Sequence, residues 1–326
     1  MKKLISVLLV LVLLFSFAAC GKTEQTTTPS QGGEAEGELK VGFSLPSMTF
    51  PFYVRMYDQI VEEGNSRGWK VSFADGNLDA GTQLNGCQDM INDGIDVLIL
   101  ATWWVDAMQD IFAQCEAKGI AVFLMDNMQI PAGSESSITF TTGTDNENAG
   151  IVGGTWGADY FKKLDKTEVN VILVSSQTEQ QVKRCTGFVA GLEKNGIKVN
   201  VLNTYDGGKR ETAMAASEDA LTAFDNIDVI YGGSAQDSLG AFDATQGANR
   251  KEVLIVGFDG EDEEIEKIDA KTNYIASITQ DPKGQAELVA KYVDLWQKGE
   301  TFAQKEETPA GVYCAEGQFT GAEILG

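Results

Sequence analysis

Short apolar runs alternate with longer segments of helical periodicity along most of the chain. Residues 97–100 form an apolar run that predicts a buried strand. The next segment has apolar residues at helical spacing, with Asp106 as the expected N-cap and Gly119 as the stop. A second apolar run follows at 120–124. Strand, helix and strand within about thirty residues predict a βαβ unit with parallel strands and a right-handed crossover.

The same alternation extends over two arrays that meet near residue 144. In the first array we predict strands at 39–45, 69–74, 97–100, 120–124 and 137–141, with helices at 52–67, 80–92 and after Asp106. A helix at 146–164, N-capped by Asp145, should bury Ala149, Val152, Trp156, Tyr160 and Leu164. In the second array we predict strands at 169–174, 198–204, 229–231, 253–256 and 275–278, with helices at 180–195, 211–224, 235–247, 261–270 and 285–297. This order predicts an α/β protein with two doubly wound, Rossmann-like parallel sheets.

The first twenty residues read as a targeting segment. A charged start and the apolar run 4–17 precede Phe17-Ala-Ala-Cys20, which resembles the bacterial lipoprotein signal and implies lipidation of Cys20. A plain secretory peptide or an uncleaved anchor helix is the alternative. Residues 21–38 have almost no apolar side chains and should form a flexible linker. We therefore expect an extracytoplasmic protein anchored to the membrane by a lipid.

Composition excludes several classes of function. The 326 residues suggest two domains, and 48 acidic against 25 basic residues give a net charge of −23, which argues against a nucleic-acid partner. The chain has no His, which removes the commonest general base and metal ligand. A calcium loop at 75–79 is rejected because Ala80 and Gly86 stand where Gly and Glu are needed. No nucleotide-phosphate motif follows a strand, so no cofactor and no metal are expected.

Four cysteines remain after Cys20, and none lies in a Cys-x-x-Cys motif. They are Cys87, Cys115, Cys185 and Cys314. Three disulfide pairings are possible, and buried free thiols are the simpler interpretation.

Chemistry-bearing residues follow several predicted strands, at the edge where ligands bind in parallel sheets. Trp103 and Trp104 follow one strand, and Asp126 with Asn127 follow the next. Because the tryptophans are adjacent, we expect at most one to face a ligand. Asp259 also ends an apolar run, and a carboxylate there can accept two hydroxyl hydrogen bonds, although either Asp could instead cap a helix. Aromatic surface beside carboxylates suits a small polyhydroxylated molecule.

Several segments together resemble type I periplasmic binding proteins of the ribose and galactose kind. They are TFPFY at 49–53, the stretch 74–100, LMDN at 124–127, TGTDN at 142–146, VGFDG at 256–260 and ITQDP at 278–282. The resemblance covers about 39–300 and implies two domains joined by a three-strand hinge. The expected crossings lie near 142–146, 279–282 and 305–310. The expected domains are 39–143 plus 281–306 and 144–280 plus 307–326.

The resemblance also implies a set of ligand-binding residues. They are Phe50, Phe52, Tyr53, Trp103, Trp104, Asp126, Asn127, Arg184, Ser234, Asp259 and Gln280. Phe50, Ala101 and Ser234 stand where the family has Asn, and Asn127 stands where it has Arg. Arg184 could instead form a structural ion pair. The identity of the sugar is therefore not transferable.

We expect a monomeric solute-binding lipoprotein, not an enzyme, that delivers a sugar or polyol to the permease subunits of an ABC importer. A sensor coupled to a receptor is an alternative, as is a secreted hydrolase that uses Asp126 and Asp259. A repressor-type ligand domain would need a DNA-binding headpiece. An amine ligand is a further possibility, because Phe50 and the tryptophans could form a cationic cage.

Overall fold

The computed structural model describes residues 38–326. The predicted signal peptide, Cys20 and residues 21–37 of the predicted linker lie outside the described residues. Within 38–326, no helix is both long enough and apolar enough to span a bilayer.

The described residues form thirteen strands and ten α-helices in alternating order. The strands are β1 Lys40–Leu45, β2 Lys70–Asp75, β3 Val97–Ala101, β4 Ala121–Met125, β5 Phe140–Gly143, β6 Glu168–Ser175, β7 Lys198–Asp206, β8 Val229–Gly232, β9 Leu254–Asp259, β10 Tyr274–Thr279, β11 Lys305–Glu307, β12 Gly311–Cys314 and β13 Gly317–Thr320. The helices are α1 Pro51–Arg67, α2 Ala80–Asn92, α3 Gln109–Lys118, α4 Asn146–Lys163, α5 Glu179–Lys194, α6 Arg210–Ala223, α7 Ala235–Gly247, α8 Asp262–Asp269, α9 Pro282–Gln297 and α10 Gly321–Leu325.

The strands build two separate sheets. The first has six parallel strands in the order β11-β5-β4-β3-β1-β2. The second has seven strands in the order β13-β12-β10-β9-β8-β6-β7, with β12 and β13 antiparallel at its edge. The prediction of two doubly wound sheets is confirmed. The antiparallel edge was not predicted, because strands of four residues carry little periodicity.

Helices cover both faces of each sheet, as β3 shows. Val97, Ile99 and Ala101 pack in the core beneath α1 and α9, whereas Leu98 and Leu100 pack with residues of α2 and α3. In β6, Val171 faces the core beneath α5 and Ile172 faces α6 and α7. These strands are apolar on both faces, as expected for buried parallel strands.

The chain passes between the sheets three times. It leaves the first sheet after β5, returns after β10, and leaves again after β11. Helix α9 belongs to the first side, because Ala286, Val289 and Val293 pack into the same core as Phe43. Every site residue that follows a strand is therefore positioned by one of the two sheets.

Most of the predicted elements are confirmed within a few residues, and three details were wrong. Asp106 is not a helix N-cap, because a 3-10 turn occupies Val105–Met108 and α3 begins at Gln109. Strand β5 begins three residues later than predicted, because the Ile138 N–H bonds back to the Ser134 carbonyl in a turn. Leu164 is 49% exposed rather than buried, since it caps α4 beyond its last turn.

Candidate functional site

A cavity of about 210 Å³ lies between the carboxyl ends of the two sheets. Its lining residues are Phe50, Phe52, Tyr53, Trp103, Asp126, Ser176, Thr178, Gln180, Gln181, Arg184, Gly208, Ser234, Gln236, Asp259, Glu261 and Gln280. The structure thus brings nine of the eleven predicted site residues to one cavity.

The wall from the first sheet is aromatic. The Phe50 ring lies 5.4 Å from Trp103 and 6.4 Å from Tyr53, in both cases nearly edge to face. Tyr53 and Trp103 are 5.9 Å apart. Trp103 keeps 39% of its surface exposed, so part of the wall is open to a ligand.

Asp126 stands beside this wall, directly after β4. Its φ of +53° is an unusual backbone conformation that Asp adopts more readily than most residues. The Tyr53 hydroxyl donates to its Oδ2 at 2.8 Å, and Trp103 Nε1 donates to the same hydroxyl at 2.6 Å. The Asp126 N–H donates to Gln285 Oε1 at 2.9 Å. Tyr53 on α1 therefore orients the carboxylate, and Gln285 on α9 holds the backbone that carries it.

The electrostatics of Asp126 are those of a carboxylate removed from water. Burial raises its pKa to about 6, the Arg184 charge and the Tyr53 hydrogen bond oppose that rise, and the Asp259 charge adds to it. A ligand that donates a hydrogen bond to Asp126 would compensate the lost hydration.

The wall from the second sheet centres on Asp259, whose φ of +105° is strained. Its carboxylate accepts from Gln280 Nε2 at 2.8 Å, from the Ala235 N–H at 3.1 Å and from Arg184 Nη1 at 3.4 Å. Arg184 also donates to Asn146 Oδ1 at 2.7 Å. Its guanidinium lies over the Phe258 ring, 3.9 Å from the centroid. Arg184 thus forms the structural ion pair and lines the cavity as well.

Ser234 and Gln280 differ in whether they have a hydrogen-bonding group available to a ligand. The Ser234 hydroxyl caps α7 and donates to Asp237 Oδ2 at 2.6 Å, so it is already engaged. Gln280 donates to Asp259, which fixes the orientation of its amide, and its Oε1 is buried without a hydrogen-bond partner among the described residues. An unpaired buried acceptor calls for a donor from a ligand or from water.

Two predicted residues lie outside the cavity. The Trp104 ring packs edge to face on Trp103 at 5.7 Å, in line with the expectation that one tryptophan packs while the other is open. Asn127 is buried, and its Oδ1 accepts the Gln129 N–H at 2.8 Å. It borders a second cavity of about 170 Å³, also lined by Lys183 and Lys305.

Seven lining residues were not predicted. They are Ser176, Thr178, Gln180, Gln181, Gly208, Gln236 and Glu261. All follow β6, β7, β8 or β9 within a few residues. The rule that ligands bind beyond strand ends, applied to every strand, would have found them.

Glu261 is the most informative of these seven. It is buried in the cavity wall, and burial raises its pKa to about 7, with the Asp259 charge adding to the rise and the Arg55 charge opposing it. No Lys or Arg nitrogen of residues 38–326 lies within 4.0 Å of its carboxylate. The cavity therefore holds a second carboxylate without a bonded cation.

None of the four cysteines of the described residues lines this cavity. Cys87, Cys115, Cys185 and Cys314 are buried free thiols. Within residues 38–326, no cluster of three or more acidic or cysteine side chains is placed to hold a metal ion.

Comparison with known proteins places the chain in a family. Residues 41–301 match the family described as the periplasmic binding protein domain. The ribose import binding protein of Bacillus subtilis is 25% identical over 90% of this chain and 93% of its own length. The D-xylose-binding periplasmic protein of Escherichia coli is 26% identical over 72% of this chain and 71% of its own length.

Solved structures agree with the fold. An ABC transporter solute-binding protein from Mycobacterium smegmatis with bound glycerol has a TM-score of 0.74 and 26% identity, over 86% of this chain and 95% of its own. One from Actinobacillus succinogenes with bound D-allose has a TM-score of 0.77 at 18% identity, over 86% and 98%. The relatives are named as binding proteins, and the resemblance stated from the sequence is confirmed. The chain belongs to the periplasmic binding protein domain family.

Proposed function

We propose that the chain captures a small sugar or polyol in the cavity between its two sheets and delivers it to an ABC importer. The observation that carries the proposal is the cavity itself. Asp126 and an aromatic wall come from one sheet, and the Arg184–Asp259–Gln280 group comes from the other. Apolar ring faces beside fixed polar groups are the usual design of a small-ligand site.

The relatives support this ligand class. Those of at least 25% identity are named for ribose or D-xylose or hold glycerol, and each of these molecules is polyhydroxylated. The cavity volume of about 210 Å³ is below that of a typical drug-sized site, which favours a small ligand. The departures at Phe50, Asn127 and Ser234 leave the particular sugar open.

The two sheets would act as two lobes. We assign 39–143 plus 281–306 to one lobe and 144–280 plus 307–326 to the other, with the three crossings as the hinge. This division is supported by β11 in the first sheet and by α9 in its core. A single ligand that contacts both lobes would gain contacts only when the lobes are close.

A hydrolase is less well supported. Its mechanism would need two carboxylates available to a glycosidic bond. Asp259 is instead engaged by Arg184, Gln280 and the Ala235 N–H.

A screen of thermal stability tests the proposed function. The melting temperature of a protein of residues 38–326 should be measured with and without pentoses, hexoses, inositols, short polyols, nucleosides and amino acids. The dissociation constant of each compound that raises the melting temperature should then be measured by calorimetry. We expect one or more sugars or polyols to bind at one per chain with a dissociation constant in the micromolar range or below. Binding confined to nucleosides or amino acids would contradict the proposal.

We also propose that a lipid on Cys20 anchors the protein outside the cytoplasm. Support comes from Phe17–Cys20 and from the polar stretch after it. Full-length protein and its Cys20→Ser variant should be compared by cell fractionation. The variant should pass from the membrane fraction to the medium or periplasm, with Cys87→Ser as the control that stays bound. Retention of Cys20→Ser in the membrane would refute the anchor.

A further inference from the structure

The charges around the cavity are unbalanced. Among the described residues that line it there are three carboxylates, those of Asp126, Asp259 and Glu261, and one cation, Arg184. Arg184 is committed to Asp259, since Nη1 contacts that carboxylate at 3.4 Å and Nε bonds Asn146. Asp126 and Glu261 therefore have no bonded cation among residues 38–326, although the Arg184 charge still acts on Asp126 and the Arg55 charge on Glu261.

Two polar groups of the cavity have free hydrogen-bonding capacity, and both are acceptors. Asp126 accepts one side-chain hydrogen bond, from Tyr53, so its second oxygen is open to a donor. Gln280 Oε1 is a buried acceptor with no partner in residues 38–326. Both groups call for a ligand that donates, and a protonated amine donates three hydrogen bonds.

The aromatic wall distinguishes an amine from a hydroxyl. Phe50, Tyr53 and Trp103 meet at ring planes 57° to 85° apart, with centroids within 6.4 Å of one another. Mutually inclined ring faces attract a cation through their quadrupoles, and they do so more strongly where water is excluded. Asp126 is bonded to this group through the Tyr53 hydroxyl.

We propose that the cavity is selective for a polyhydroxylated molecule that carries a protonated amine, an amino sugar or amino polyol. Its ammonium lies against Asp126 and the rings of Phe50, Tyr53 and Trp103. Its hydroxyls meet the Asp259, Arg184 and Gln280 group. The inference rests on the proposed function, because it specifies that the sugar or polyol proposed above carries a positively charged amine.

The test compares matched pairs by calorimetry at pH 6.5. D-Glucosamine and D-galactosamine are measured against D-glucose, D-galactose and N-acetyl-D-glucosamine, and D-glucamine against sorbitol. Ethanolamine and choline supply a cation with few hydroxyls. We expect at least one amino compound to bind ten-fold or more tightly than its hydroxyl partner, and N-acetylation to abolish the gain.

Asp126→Asn separates charge from shape. In the variant, the affinity for the amino compound should fall about 100-fold and the affinity for its neutral partner about ten-fold. The ratio of the two affinities should therefore fall about ten-fold. Asp89→Asn removes the same charge from an exposed position on α2 and should leave the selectivity unchanged.

The other outcomes have definite meanings. If neutral sugars or polyols bind as tightly as their amines, the inference fails while the proposed function stands. If ethanolamine or choline binds as tightly as the amino sugars, the hydroxyls are irrelevant and the proposed function fails. If Asp126→Asn leaves the selectivity unchanged, the ammonium does not lie at Asp126 and the assignment is overturned. Failure of every compound in this panel to bind overturns the inference, while the proposed function is decided by the wider screen of pentoses, hexoses, inositols and short polyols.

Discussion

Asp126 and Asp259 occupy equivalent places in their sheets, yet the two side chains have different surroundings. Both could be located from sequence because each ends an apolar run at a strand's carboxyl end. Their partners could not, because the Tyr53 hydroxyl and the Ala235 N–H approach from other elements, whose placement no periodicity encodes. The Asp259 carboxylate is hydrogen-bonded by groups from the side of its own sheet. The Asp126 carboxylate has one oxygen, Oδ1, that is open to a ligand.

A further carboxylate, that of Glu264, lies fully buried behind the cavity wall that the second sheet forms. Its Oε1 accepts from the Tyr274 hydroxyl and from Ser277 Oγ at 2.9 Å, and its Oε2 accepts from the Glu261 N–H at 2.7 Å. Burial raises the pKa of Glu264 to about 8, and the Asp259 charge adds to the rise. The sequence alone showed only a residue near the start of a helix predicted at 261–270.

Glu264 should make stability depend on pH. In the unfolded chain its pKa is near 4.3, so between about pH 4.3 and 8 the folded chain holds a proton that the unfolded chain has lost. The free energy of unfolding therefore falls as pH rises through this window, by up to about 1.4 kcal/mol per pH unit for this group.

Urea denaturation of parent and Glu264→Gln from pH 5 to 7.5 measures the effect. The variant should show a shallower decline, because Gln does not ionise, while Asp126 and Glu261 still contribute in both proteins. Glu266→Gln, exposed on the same helix, should follow the parent. Parallel curves for parent and Glu264→Gln would show that Glu264 is ionised when folded.

At the scale of elements, the contact between α4 and α5 positions Arg184. The two helices touch through glycines on both sides, Gly150 and Gly154 against Gly187 and Gly191. A Cβ on Gly154 would stand 2.1 Å from the Phe188 carbonyl oxygen, a backbone atom that cannot turn aside. The close approach also lets Asn146 on α4 hold Arg184 on α5.

Gly154→Ala should therefore destabilise the protein. We expect a loss of about 1–3 kcal/mol from overpacking. Gly157→Ala is the matched control on the same helix, because its Cβ would meet the flexible Leu192 Cδ2 at 3.3 Å. That variant should be neutral or gain up to about 1 kcal/mol from helix propensity. Urea denaturation measures both, and equal effects would contradict this account of the helix contact.

The elements themselves were largely predictable, for a physical reason that also explains the misses. Buried parallel strands and amphipathic helices require characteristic patterns of apolar residues in the sequence, as at β3 and α4. Strand β12 and strand β13 are only four residues each, and β11 is three. Their place is set by the pairing of β12 with β10, of β13 with β12 and of β11 with β5, which is a property of the tertiary structure.

At the scale of the whole molecule, few polar contacts bridge the two sides of the cavity. Gln129 Nε2 donates to Glu179 Oε1 at 2.8 Å, and Arg55 lies 3.9 Å from Asp262, whose side chain is 96% exposed. Exposed pairs of this kind contribute little. The ligand's own contacts must therefore decide how the two sides are held, and a ligand shifts that equilibrium only by its differential affinity.

The most direct test of the central claim is calorimetry with one altered carboxylate on each side of the cavity. The tightest ligand from the screen is titrated into the parent, Asp126→Asn, Asp259→Asn and the control Asp89→Asn. A hydrogen bond to a charged group contributes roughly 1.5–3 kcal/mol, so each cavity variant should lose about ten-fold or more in affinity while folding normally. The control should match the parent. If both cavity variants bind within a factor of two of the parent, the ligand does not lie between the two sheets.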